Sequence, residues 1–385
     1  TITQRIGVSG PPVRTGIEPP WRPDHHAGML LETYAKKKPI FDALGISVRQ
    51  PHSAVLTRNQ GKRQAIRYRD MEFWLDPERA MYRPHYTLEE LEANPNFHYF
   101  GGFLVERIEE TPSGCVVQAA PIDNPADRKH FQAKIVVIAA GAIGTARILL
   151  RSLGYYDREI PFLGKPQWLL ASLHLSTLGM AGLRERLSLC QLTVSDENKG
   201  QDSHFHAGYA QIYSYKSLGL IRLLNFVPAP LPEALDLLSL VSPSLVIADI
   251  RFPALPNPDS TLKLVRDASG KEKVVIRAKD APLDPKRREA SLARVRKALR
   301  CLGLTPIKLK AMPSGSTAHY AGTVPYSPSS SEHVLSVDQN GRLHQAQHIY
   351  VADSSVFRFM PAKALALTIM ANANRVGEAA LKEFR

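Results

Sequence analysis

Hydrophobic and polar positions along the chain change character several times. Residues 1–60 are loop-like: Gly10-Pro11-Pro12, Pro19-Pro20 and Pro23 forbid long helices there. Leu30 to Leu44 has helical spacing and ends near Gly45. Thr87 is placed to cap a short helix over 87–91. From Phe97 the pattern turns to strands. Phe103–Ile108 and Cys115–Ala119 alternate, with the turn-forming Thr-Pro-Ser-Gly between them. Ala133 to Gly141 is a continuous apolar run with β-branched residues, which suits a strand buried on both faces. Gly141 and Gly144 then lead into a helix through Ala146–Leu150. A strand, a glycine turn and a helix in this order bring backbone N–H groups close to a ligand.

The region 155–280 reads as a mostly antiparallel sheet with helices on one side. His204–Tyr215 and Leu245–Phe252 are strand-like. Ser260–Arg266 and Lys273–Arg277 flank Asp267-Ala-Ser-Gly270, a good hairpin connection. A short helical segment lies within 228–240, and a long amphipathic helix over 284–302 stops at Gly303. Beyond it come a polar loop with His319, a buried strand Ile349–Ala352 ending on Asp353, and an apolar helix over Leu365–Leu381.

Composition narrows the class. A chain of 385 residues with 44% hydrophobic and 22% charged residues can bury a sizeable core in two domains. The net charge of +13 raises an anionic partner, but the basic residues are scattered and no nucleic-acid motif accompanies them. A generally basic surface is the simpler reading. Cys115, Cys190 and Cys301 share no short spacing, which argues against a disulfide framework and for a reducing, cytoplasmic compartment. No apolar run reaches the length of a spanning helix. His25-His26 and His204-x-His206 are the only close histidine pairs, and neither has a carboxylate or cysteine partner that would complete a metal site. Ser354-Ser355 lacks the Gly-x-Ser-x-Gly elbow of a serine hydrolase.

Two stretches carry a resemblance. Lys134–Leu150, with its Ala-Ala-Gly-Ala turn, and the order His319-x-x-Gly322-Thr323, Asp353, Thr368-Ile369-Met370-Ala371 are similar to the glucose–methanol–choline (GMC) family of flavin-dependent oxidoreductases. The resemblance implies an α/β (α+β) fold: a partial, Rossmann-like FAD-binding domain interleaved with an antiparallel-sheet substrate domain. It implies boundaries near 1–155, 156–334 and 335–385, the last segment returning to the FAD-binding domain. It implies FAD contacts at Val105, Ala140, Gly141, Asp353 and Ser354, and His319 as the catalytic base. A histidine near neutral pKa can take a proton from an alcohol while a hydride leaves the same carbon.

The sequence departs from the family in two places. The second active-site position, usually His or Asn, falls on Ala364, which cannot hydrogen-bond an alcohol. The neighbouring Lys363 could compensate only if its loop turned it inward. No Gly-x-Gly-x-x-Gly occurs, although the family uses that fingerprint to bind the pyrophosphate. Weak or no FAD binding by this chain alone is therefore expected. Together with a start at Thr1, this suggests a fragment or a processed chain. Three readings result: a GMC-like FAD-dependent oxidoreductase acting on a small-molecule alcohol; a catalytically degenerate homologue or subunit that docks with a separate chain supplying the missing half; and a basic module for an anionic polymer. Nucleic acid is not expected as a partner.

Overall fold

The computed structural model describes the chain apart from residues 12–16, 69–74, 181–186, 188, 198–207, 215–226, 282–284, 331 and 385. The chain divides into two compact units that alternate along the sequence. One takes Thr1–Thr87, Gln167–Phe252 and Leu283–Met312, and the other takes Leu88–Pro166, Pro253–Pro282 and Pro313–Arg385.

The first unit is built on a six-stranded sheet, ordered Ile46–Arg49, Leu192–Asp196, Tyr209–Ser214, Leu245–Arg251, Gln167–His174, Leu304–Ala311. All neighbouring strands are antiparallel. Its central strands bury Val194, Ile212, Val246, Ala248 and Ile250. Pro306 sits in the edge strand, where the register shifts between Pro306 and Lys308. A proline has no N–H to donate to a ladder, so an irregular edge strand is where it fits. The amphipathic helix forms over Pro285–Cys301 and buries Leu292, Val295 and Leu299. Its Arg294 pairs at 2.6 Å with the fully buried carboxylate of Asp196, so part of the basic charge is internal.

The helix expected over 30–44 is two helices, His25–Lys36 and Lys38–Leu44. Pro39 cannot donate to the carbonyl four residues back, and the break falls at Lys37. The second helix does end at Gly45, whose φ is +64°. Thr87 is not a cap: its helix starts earlier, over Pro84–Glu92, and its hydroxyl pairs with Tyr82 Oη at 2.7 Å. Proline is favoured in the first helical turn because its missing N–H would be unpaired there anyway. The strand-like reading over His204–Tyr215 appears as Tyr209–Ser214, and residues 204–207 and 215 lie outside the described residues.

The second unit is α/β. Its parallel strands Val136–Ile138 and Ile349–Val351 pair Val136 with Ile349 and Ile138 with Val351. The strand read over 133–141 is this short because the helix Gly141–Ser152 begins at once. Phe103–Thr111, Gly114–Pro121 and Lys129–Ala133 form an antiparallel sheet, and Thr261–Arg266 lies between Glu272–Arg277 and Ile160–Pro161. Leu149, Leu150, Leu262, Val324, Val337, Val351 and Val356 share one core. The C-terminal helix Ala366–Phe384 packs Val376 and Ala380 against Tyr350 and Ala352.

This division moves the expected boundaries. The strand Ile46–Arg49 pairs with Leu192–Asp196, which draws residues 1–87 into the antiparallel unit. Residues 253–282 and 313–334 belong with the α/β unit, because their strands and loops pack around the 141–152 helix and its core. The class is α/β with interleaved units.

Candidate active site

The turn between strand Val136–Ile138 and helix Gly141–Ser152 is held from across the unit by Asp353. One carboxylate oxygen, Oδ2, accepts from Gly141 N at 2.8 Å and from Thr145 Oγ1 at 2.5 Å. The other, Oδ1, accepts from Ser355 N at 2.8 Å and Ser355 Oγ at 2.5 Å. Thr145 Oγ1 in turn accepts from Ala140 N. Asp353 is buried, and a carboxylate offers about four lone-pair sites. All four are filled, so Asp353 braces the turn and has no acceptor left for a ligand.

Beside it the backbone is open. Ala139 and Ala140 are exposed at the carboxyl end of the parallel strand, where ligands meet α/β sheets. Gly141 has φ +76°, and a Cβ built there would meet nothing within 4 Å. Ser354 Oγ donates to Tyr320 O. Val105 O accepts from Arg147 Nη2 at 2.8 Å, an interaction from the same helix that Asp353 braces. The residues present fit a group that approaches the 139–141 backbone, which Asp353 holds, while Ser354 and Val105 are bonded to Tyr320 and Arg147.

His319 lies half-buried just before the short strand Tyr320–Ala321, which pairs with Leu163–Gly164. Glycines flank it where no other residue fits. Gly315 has φ +74°, and a Cβ there would sit 2.4 Å from Ala278 Cβ. Gly322 has φ +77°, and its Cβ would meet Leu163 at 2.7 Å and Phe357 O at 3.2 Å. The side chain of Thr323 donates to Ala142 O, tying the segment to the start of the 141–152 helix. Val324 N and Tyr326 N then donate to Ser355 O and Val356 O. The His319 segment and the Asp353 turn are thus neighbours by direct bonds.

Lys165 is the residue that the sequence did not flag. It is 1% exposed, although lysine is among the residues least often buried. Its N–H donates to His319 O at 3.1 Å, and its carbonyl accepts from Thr317 Oγ1 at 3.0 Å. Its ammonium donates to Lys363 O at 2.8 Å. One side chain therefore links the His319 segment to the loop that carries Ala364. Ala364 itself is exposed, as is Lys363. Only its position before Pro166 marks Lys165 in the sequence, and nothing there distinguishes it from a surface lysine.

In the antiparallel unit His26 Nε2 meets His174 Nδ1 at 2.9 Å, and Ser214 and Ser176 complete the chain at its ends. Burial holds His174 below its ordinary pKa of 6.5. The three cysteines are free. Burial raises the Cys115 thiol to about 11 and the Cys190 thiol to about 12, so neither is a thiolate at neutral pH. Among the described residues no group of three or more His, Cys, Asp or Glu could hold a metal ion, and His204 and His206 lie outside them. No helix among the described residues is long and apolar enough to cross a membrane.

Comparison with known proteins bears on this geometry. Residues 256–373, which include His319, Asp353 and Ala364, match the family model described as GMC oxidoreductase. The fold is similar to a FAD-dependent oxidoreductase from Chaetomium thermophilum, solved with a butanamide fragment. That match has a TM-score of 0.58 and 15% identity over 97% of this chain and 76% of that one. It is also similar to pyridoxine 4-oxidase from Mesorbium loti, at a TM-score of 0.55 and 15% identity over 96% of this chain and 74% of that one. No curated protein matches by sequence. Residues 256–373 thus match the GMC oxidoreductase family, and the chain as a whole is similar in fold to these FAD-dependent oxidoreductases.

Proposed function

We propose that this chain provides the base and part of the cofactor wall of a FAD-dependent oxidoreductase acting on the CH–OH group of a small-molecule alcohol. The observation that carries the reading is the link through Lys165. It joins the His319 segment to the loop preceding the Thr368–Ala371 helical stretch, and both lie in the family-matched segment. FAD, when bound, supplies the acceptor for the hydride that leaves the carbinol carbon. The exposed backbone of Ala139–Gly141 admits its close approach, and Asp353 keeps that backbone in place. His319 accepts the hydroxyl proton. The glycines at 315 and 322 and the bonds of Lys165 and Thr323 hold its segment in register with the Asp353 turn. Ala364 contributes no hydrogen bond to the alcohol, so orientation at that position rests on shape.

The test supplies FAD in excess and measures alcohol-dependent reduction of an acceptor dye by the purified chain and by His319→Gln. A positioned general base contributes roughly 10²–10⁴-fold. Turnover that falls by at least 10²-fold in the variant supports the assignment, and turnover within tenfold of wild type refutes it. Because the phosphate fingerprint is not in this sequence, flavin retention through purification should be poor. A stoichiometric yellow protein would overturn that expectation.

A second reading, a subunit that docks with a separate flavin-binding chain, is favoured by one observation. Parallel strands are normally covered on both faces. Here Val137 is 44% exposed, and Ile135, Val137, Ala380 and Leu381 line an open, largely apolar groove of about 550 Å³. Co-purification with a glycine-rich flavoprotein chain, lost on Val137→Lys, would favour this reading. A chain that turns over alcohol with FAD and no second protein would sink it.

A further inference from the structure

In the α/β unit a second cleft, of about 630 Å³, is lined by neither His319, Asp353, Lys165 nor the Ala139–Gly141 turn. Its lining includes Tyr326, Ser327, Asp338, Gln339, Arg358 and Arg375. Among the described residues no carboxylate pairs with either arginine. Arg375, on the C-terminal helix, donates to Gln339 O, to Tyr326 Oη and to Asn372 Oδ1, and its guanidinium lies 5.4 Å from the centre of the Tyr326 ring. These acceptors are all neutral. They fix the guanidinium plane without neutralising it, and they use three of its five N–H groups. Its Nε–H and one Nη1–H remain available. Arg358 has no hydrogen bond or ion pair to any described residue.

The carboxylates nearby are committed elsewhere. Asp338 Oδ1 accepts from Asn340 N and Arg342 N, and Oδ2 pairs with Arg342 Nε at 3.5 Å. Glu332 Oε2 accepts from Ser327 Oγ at 2.7 Å. A concave site with two uncompensated guanidinium groups, one of them preorganised, suits an oxyanion that takes parallel N–H bonds.

We propose that this cleft binds a phosphate group, free or as part of a small phosphate ester, against Arg358 and Arg375. The cleft has room for a group attached to the phosphate, and the Tyr326 ring gives that group a flat wall. Binding weakens with salt because both arginines are exposed.

Isothermal titration with inorganic phosphate, pyrophosphate and phenyl phosphate tests the proposal at low ionic strength. It needs no flavin and no turnover. Saturable binding with a submillimolar Kd is expected for at least one of the three, with Arg358→Ala and Arg375→Ala each weakening it about tenfold. The phenyl ester binding more tightly than phosphate would identify an ester as the natural occupant, and equal affinity would identify the free anion. Arg358 is exposed and has no hydrogen bond or ion pair to a described residue, so its variant should fold, and an unchanged circular dichroism melt checks that loss of binding does not come from unfolding. Arg58→Ala, outside this cleft, should leave the titration unchanged. The proposal fails if none of the three ligands binds with a Kd below about 1 mM, or if the Arg58 variant weakens binding as much as the Arg358 variant.

Discussion

Replacing Asp353 isolates what holds the candidate cofactor turn. In Asp353→Ala the backbone N–H groups of Gly141 and Ser355 lose their acceptor, and so do the hydroxyls of Thr145 and Ser355. The hydroxyls can rotate to other partners, but the two N–H groups cannot. The buried Ser355 N–H costs about 1–3 kcal/mol when unsatisfied, and the half-buried Gly141 N–H adds a smaller amount. Relief of the buried carboxylate's desolvation returns part of that, which leaves a loss of about 2 kcal/mol. Asp353→Asn keeps one oxygen and turns its NH₂ toward one pair of donors, so it should lose about half as much. Urea denaturation followed by circular dichroism measures both, and hydrogen exchange at residues 141–145 localises the effect. The reasoning fails if Asp353→Ala, without any cofactor present, costs less than about 1 kcal/mol. It also fails if exchange at 141–145 is no faster than in wild type. A residue acting only as a cofactor ligand would give that result.

Two further predictions address the other buried polar groups. Lys165→Met keeps the stem's packing and removes the ammonium with its bond to Lys363 O, which an exposed loop can resolvate, so global stability should change less than in the alanine variant, by about 1 kcal/mol. Lys165→Ala leaves a cavity and should cost about 2–4 kcal/mol, while both variants should speed hydrogen exchange at 361–365; equal stability of the two would refute the packing argument. His174 has a folded pKa lowered by burial, so the unfolded chain binds more protons on acidification. Stability is therefore flat above the unfolded value near 6.5 and falls as pH drops below it, by at most about 1.4 kcal/mol per pH unit for this one group. A His174→Gln variant with the same fall between pH 6.5 and 5, read by thermal melts, would assign the loss to other groups.

Local pattern determined a good part of this protein. The Asp267–Gly270 hairpin, the glycine turn at 141, the helix stop at Gly45 and the C-terminal helix were all legible, because turn chemistry and hydrophobic period act within a few residues. The order His319, Asp353, Thr368 was legible as resembling a family order, and it lies within the family-matched residues 256–373. Tertiary structure alone decided how these pieces are used. Pairing of Ile46–Arg49 with Leu192–Asp196 spans about 150 residues, and no local signal reports which distant edge a strand will meet. An aspartate at a strand end reads equally as ligand or brace, and only the four donors gathered around Asp353 made it a brace. Lys165 reads as surface, since polarity patterns count its charge and not its methylenes. Only folding buried that stem and set its ammonium on Lys363 O while its backbone bonds the His319 segment.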